Sequence, residues 1–213
     1  MTASQDNQSA TTADSPHRQE SAPTPAGNPL LDVAYIAVFA ALIIALAFVA
    51  IPVGAAGVPI VLQNAAVILA GLILGRTRGF LTALLFLGLG LIGLPVLAGG
   101  KTTLAALGGP TIGYLVGYLV SATVAGSIAY LAPRGNRKAL TIYLALGAIA
   151  ALACQYLCGS VGMMFRADMS FGQALAVNVP FLIPDLIKAA CAVVIASGVH
   201  LSLPDIRRKA FLK

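Results

Sequence analysis

The sequence has 213 residues, 59% of them hydrophobic and 9% charged, with a mean hydropathy of +0.92 and a formal net charge of +6. Soluble domains carry about 25% charged residues, so this composition excludes an ordinary soluble fold. The basic residues fall at the ends of apolar runs, which argues for membrane topology and against a nucleic-acid surface.

Residues 1–29 are rich in Ser, Thr, Ala, Gln and Pro and hold no apolar run, so a disordered tail is predicted. The first hydrophobic run opens at Leu30 and lasts about 22 residues, too long for a secretory signal, so the tail is expected to stay attached. Further apolar runs recur at lengths that suit helices crossing a ~30 Å hydrocarbon core. Six spans are predicted: Leu30–Ile51, Val58–Gly75, Gly79–Leu94, Thr111–Ala132, Leu140–Val161 and Gln173–Leu201. The fold class is an all-α membrane protein with six transmembrane helices. The domain plan expected is the 1–29 tail, a 30–203 six-helix transmembrane domain and a basic 204–213 C-terminus.

In the first span, AYIAVFAALIIALA sets Ala37, Ala41 and Ala45 four residues apart, a small-residue face on which another helix can dock. That helix can belong to this chain or to a membrane partner. The second span opens with VPIVLQN, whose amides Gln63 and Asn64 can contact a ligand or another helix; for Asn64 alone the helix contact is favoured. The connection Pro95–Pro110 is long and Gly-rich, and is expected to fold back as a substrate-lining loop or lid. Its GGKTT is not a phosphate-binding loop, because Pro95 stands where the first glycine is needed.

The fourth span opens with GGPTIGYLVGY. Gly109, Gly113 and Gly117 form a stripe that permits close helix packing, the favoured reading for the glycines alone. Thr111, Tyr114 and Tyr118 add hydroxyls, and the Tyr114 ring can stack on a ligand while its hydroxyl bonds to it. In the fifth span Cys154 and Cys158 share a face, but no His or carboxylate completes a metal set, so packing is expected and no metal is. CGSVG around Ser160, with His200 elsewhere, lacks the glycine pattern of a serine nucleophile, and the two residues fall near opposite ends of their spans.

VPFLIPDLIKAACAVVIASGVHL in the sixth span carries Asp185 and Lys188. A central Asp or Lys in a bilayer costs ~2.5 to 3.5 kcal/mol each, so both need a reason. At i and i+3 they share a face and can neutralise each other, either as a structural clip or as a ligand site. Regular helix is predicted from near Pro184, which would put both in the first turns, toward the outer half of the bilayer. There Asp185 would accept N–H bonds and Lys188 would donate to an oxygen, a set that suits a ureido group or another cyclic amide.

Nine basic residues fall on one set of connections and ends: Arg76, Arg78, Arg134, Arg137, Lys138, Arg207, Arg208, Lys209 and Lys213. The opposite loops hold two, Lys101 and Arg166. Both termini are therefore expected in the cytoplasm. No sustained internal repeat appears, which argues against an inverted-repeat transporter.

VPIVLQN, GGPTIGYLVGY and PFLIPDLIKA, in this order on the second, fourth and sixth spans, resemble the BioY family, biotin-binding S components of energy-coupling-factor (ECF) vitamin transporters. The resemblance covers residues 30–203. It implies six helices, both termini cytoplasmic, and biotin near the extracellular side beneath the first and third loops. It also implies Asp185 and Lys188 at the polar head of biotin, with Gln63, Thr111 and Tyr114 as further pocket members. The chain departs from the family's GPTGGY and PGD patterns at Ile112 and Pro184. The function implied is ATP-driven biotin uptake at the cell membrane. Biotin is then the transported substrate and not a cofactor, the chain is not an enzyme, and a transmembrane coupling (T) subunit docks at Ala37, Ala41 and Ala45 while ATPase subunits supply energy. Two alternatives remain at this point: an autonomous carrier with Asp185 as its proton site, and a structural membrane protein in which Asp185 and Lys188 merely pair.

Overall fold

The computed structural model describes residues 29–51 and 60–207. The predicted tail, up to residue 28, lies outside these residues, as do Val58 and the basic residues 208–213. Among the described residues the order is α1 (Pro29–Ala47), β1 (Ala50–Ile51), β2 (Ile60–Val61), α2 (Gln63–Leu74), α3 (Arg76–Leu91), α4 (Thr103–Leu107), α5 (Ile112–Ala129), α6 (Arg137–Ala167), α7 (Phe171–Ala176) and α8 (Val179–Ser202), then a 3-10 turn at Pro204–Arg207. The strands pair antiparallel, with Ala50 opposite Val61 and Ile51 opposite Ile60.

Four helices, α1, α5, α6 and α8, are long and apolar enough to cross a membrane. With 12 residues α2 is shorter, about 18 Å at 1.5 Å per residue. Its stretch Ala66–Leu74 is buried on every side, which makes α2 the inner helix of the bundle. The apolar run breaks at Gly75, which has φ 85° and faces the Tyr130 ring where a Cβ would stand. Helix α3 then starts at once. Arg76 and Arg78 thus belong to a helix and not to the connecting loop in which the charge pattern put them.

One core cluster joins α2, α5, α6 and α8 around Leu72, Leu144 and Ala196. A second joins α1, α2, α3 and α5 around Ile43, Val67 and Phe86. Helices α5 and α6 make the most extensive contact because glycines line it: a Cβ at Gly113 would run into the Cys158 carbonyl, and one at Gly117 would stand 3.1 Å from Gln155 Cα. Gly109 precedes the helix and takes no part. At the far end of α5, Gly126 lies against the Gly75–Arg76 backbone. Gly126→Ala is therefore expected to lose about 1–3 kcal/mol to overpacking. Gly88, with open space around it, should gain up to about 1 kcal/mol as alanine. Thermal unfolding in detergent measures both.

Two predicted spans change shape. The fifth becomes a 31-residue helix running past Val161, so Arg166 sits in the last turn of α6 instead of in a loop. The sixth divides at Asn178 into α7 and α8, and α8 starts five residues before Pro184. Pro180 lies in the first turn, where its missing N–H is harmless, and Pro184 is accommodated inside the helix. Asp185 and Lys188 consequently sit in the second and third turns of α8, one turn further in than a start at Pro184 would give.

Helices α2, α5 and α8 run in one direction and α6 returns. At the end where α2 stops, Arg78 bonds to Asp32 on α1 and to the Ile206 carbonyl in the C-terminal turn, so the two ends of the described chain meet there. The other end holds the starts of α2, α5 and α8.

Candidate functional site

One turn of α8 places Asp185 and Lys188 on the same side, and both are largely buried, with side chains 6% and 11% exposed. The Lys188 Nζ pairs with Asp185 Oδ1, and donates to the Val61 carbonyl at 2.8 Å and to Asn64 Oδ1 at 2.9 Å. An ammonium has three N–H donors, and all three are engaged. The Tyr156 hydroxyl donates to Asp185 Oδ2 at 2.7 Å. The pair is more than a local clip, because it ties α8 to β2, α2 and α6.

Beside it lies a cavity of about 330 Å3. Asp185, Lys188, Asn64, Gln155 and Tyr156 line one part of its wall, and Met163, Val177 and Phe181 line another. Three wall atoms have no hydrogen-bond partner among the described residues: the amide nitrogen of Asn64, the amide oxygen of Gln155 and the hydroxyl of Tyr118. Two can donate and two can accept, since a hydroxyl does both. Facing the cavity, this open set offers a ligand hydrogen bonds of both senses.

A second polar chain braces the wall. The Tyr114 hydroxyl donates to Asn178 Oδ1, and the Asn178 amide nitrogen donates to Ser160 Oγ at 3.0 Å and to the Ala174 carbonyl at 3.2 Å. Gly159 makes room for this: a Cβ there would collide with the Tyr114 ring. A larger pocket of about 460 Å3 opens at the opposite end, between the α5–α6 turn and the end of α8, but no described carboxylate lines it and its Arg134 and Arg137 are exposed.

The BioY family model matches residues 17–205 of the chain. The chain belongs to the BioY family. The biotin transporter BioY of Rhodobacter capsulatus is 40% identical over 176 residues, covering 78% of this chain and 90% of that protein. The biotin transporter BioY of Rhizobium etli is 34% identical over 187 residues, covering 84% and 98%. A crystal structure of the S-component for biotin from an ECF-type ABC transporter superposes with a TM-score of 0.70 at 31% identity, covering 81% of this chain and 92% of that one.

Of the residues singled out through the BioY motifs, Asp185, Lys188 and Tyr114 meet at the cavity, and Thr111 lies exposed at its edge. Gln63 does not line it. Its amide nitrogen donates to the Val96 carbonyl at 2.7 Å, so it anchors the Pro95–Pro110 connection, and the neighbouring Asn64 faces the cavity instead. Successive helix positions are about 100° apart, so one amide of the two turns inward. The Pro95–Pro110 connection does fold back, burying Val96, Leu97 and Thr103, yet none of its residues lines the cavity. Ile112, a departure from the BioY pattern, lies on the outer side of α5 and not at the cavity. Ala37, Ala41 and Ala45 form an exposed face of α1, opposite its buried Ile36, Ala40 and Ile43.

Gln155, Tyr156 and Asn178 were not singled out from sequence. Gln155 carried a usable signal, being the one amide in the apolar run ALACQYLC. Asn178 read as part of a continuous span, and only the break between α7 and α8 turns it inward.

Proposed function

We propose that this chain captures biotin and carries it across the cell membrane as the substrate-binding subunit of an ATP-driven ECF transporter. The observation that carries this reading is the cavity in which the buried Asp185–Lys188 pair stands beside unpartnered hydrogen-bonding atoms of both senses. A ureido head supplies what that wall lacks. Its N–H groups donate to Asp185 and Gln155, and its oxygen accepts from Asn64 or Tyr118, or from Lys188 in exchange for the bond to Asn64 Oδ1. The sulfur ring packs against Met163, Phe181 and the tyrosines, and the carboxylate tail points to the exposed edge at Thr111. A volume of about 330 Å3 suits a small ligand, at the lower end of the ~300–1,000 Å3 range.

Six helices cross the membrane in this reading, with α2 and α3 as the two short ones. The meeting of Asp32 and Ile206 at Arg78 supports both termini on one side, and the excess of basic residues makes that side cytoplasmic. The coupling subunit docks on the exposed Ala37, Ala41 and Ala45 face, and separate ATPase subunits drive the cycle.

Labelled biotin uptake by cells making this chain with coupling and ATPase subunits tests the proposal. Uptake is expected to stop on ATP depletion and to survive a protonophore; the reverse pattern would establish an autonomous proton-coupled carrier. Ala41→Phe, on the docking face and outside the cavity, should leave biotin binding to the isolated protein unchanged. Coupled uptake should fall about tenfold or more, since overpacking a close helix contact costs about 1–3 kcal/mol.

A further inference from the structure

Helices α5 and α6 form a second concavity on their outer side, separate from the biotin cavity. This open groove has a volume of about 400 Å3, and Gly113 and Gly162 form its floor. A Cβ at either glycine would point at the backbone of the facing helix, so the two helices meet there with no side chain between them. The ridges are Val116, Leu157, Val161 and Phe165, between 43% and 80% exposed. On a membrane-spanning pair such residues face hydrocarbon, and a groove this apolar does not hold water. Its shape and chemistry suit an acyl chain.

Arg166 closes one end of the groove. With 31 residues α6 is about 46 Å long, so its last turn reaches the headgroup region beyond the ~30 Å core. The guanidinium has five N–H donors in a fork that fits a phosphate. One nitrogen, Nη2, donates to the Leu107 carbonyl at 3.1 Å, and no described carboxylate lies within ion-pair distance of Arg166. A cation at headgroup depth over an apolar channel complements one kind of molecule, a lipid with an anionic head.

We propose that the α5–α6 groove is a binding site for an anionic phospholipid, with an acyl chain over Gly113 and Gly162 and the phosphate on Arg166. The site is independent of the biotin reading. Because the chain contains no tryptophan, Phe165→Trp gives a single fluorescent reporter on the groove wall, and Val194→Trp gives a lipid-facing reference on α8. Each is reconstituted in phosphatidylcholine vesicles that contain equal fractions of either chain-brominated phosphatidylglycerol or chain-brominated phosphatidylcholine. At position 165 the brominated phosphatidylglycerol is expected to bind about fivefold more strongly, the preference one basic residue gives for an anionic surface. Adding Arg166→Gln should reduce that ratio to about one, and position 194 should be quenched alike by both lipids. Equal quenching at position 165, or a preference that survives Arg166→Gln, overturns the proposal. So does weak quenching by both lipids that strengthens as the protein is diluted in lipid, which would put a second copy of the chain over the groove.

Discussion

Asp185→Asn is expected to abolish biotin binding in calorimetric titration of the detergent-purified protein, and Lys188→Met to do the same. The asparagine keeps the shape of the side chain and loses its charge. Lys188, with its side chain 11% exposed, then holds an ammonium beside three neutral acceptors and no counter-charge. Losing a buried charge-assisted hydrogen bond to the ligand costs about 2–5 kcal/mol, which is ~30- to ~5,000-fold in Kd. Two effects add here: the carboxylate no longer receives the ligand N–H, and the Tyr156 hydroxyl loses a charged acceptor. Asp185→Leu combined with Lys188→Leu separates site from scaffold, because replacing both members of a buried pair with apolar residues is often neutral for stability. The double variant should stay folded and bind no biotin. Wild-type affinity in both single variants would put the ligand elsewhere, and absence of heat with the unaltered protein would end the biotin proposal.

The part of the site legible in sequence is the part with an energetic anomaly. Asp185 and Lys188 stand out because charge in an apolar run demands compensation, and the i, i+3 spacing already sets them on one face. Their partners were not legible. Whether Gln63 or Asn64 turns inward depends on the rotational phase of α2, which follows from where β2 ends and the helix begins. Gln155 and Tyr156 complete the wall only because α6 crosses α5 at glycine contacts, which brings them opposite Asn64 and Asp185. Fold-level errors share one cause. Hydropathy marks where lipid can be, but a proline in the first turn, a positive-φ glycine or a buried charge decides where a helix begins.

Arg78 shows the last of these, and Arg78→Met is expected to be strongly destabilising. Charge counting assigns Arg78 to a cytoplasmic loop, yet its side chain is 1% exposed. Its Nε donates to the Leu74 carbonyl at 2.9 Å, Nη1 pairs with Asp32 Oδ1 at 3.3 Å, and Nη2 donates to the Ile206 carbonyl at 2.7 Å and the Tyr130 hydroxyl at 3.3 Å. The guanidinium also lies over the Tyr35 ring, 5.8 Å from its centroid. One planar group therefore joins the ends of α1, α2 and α5 to the C-terminal turn. Methionine fills the space of the stem but takes the guanidinium from a carboxylate that is itself buried. That costs about 3–5 kcal/mol, or a fall in Tm of ~6–20 °C for a chain of this size by circular dichroism in detergent. Arg78→Lys should fall between, because an ammonium keeps the charge but not the fork. Adding Asp32→Leu to Arg78→Met should recover part of the loss, since the buried carboxylate goes too. A Tm within about 2 °C of the unaltered protein would refute the clamp. The folded fraction of Arg78→Met should bind biotin within about twofold of normal: Leu74 and Asn64 lie at opposite ends of α2, about 15 Å apart, and effects that distant add independently.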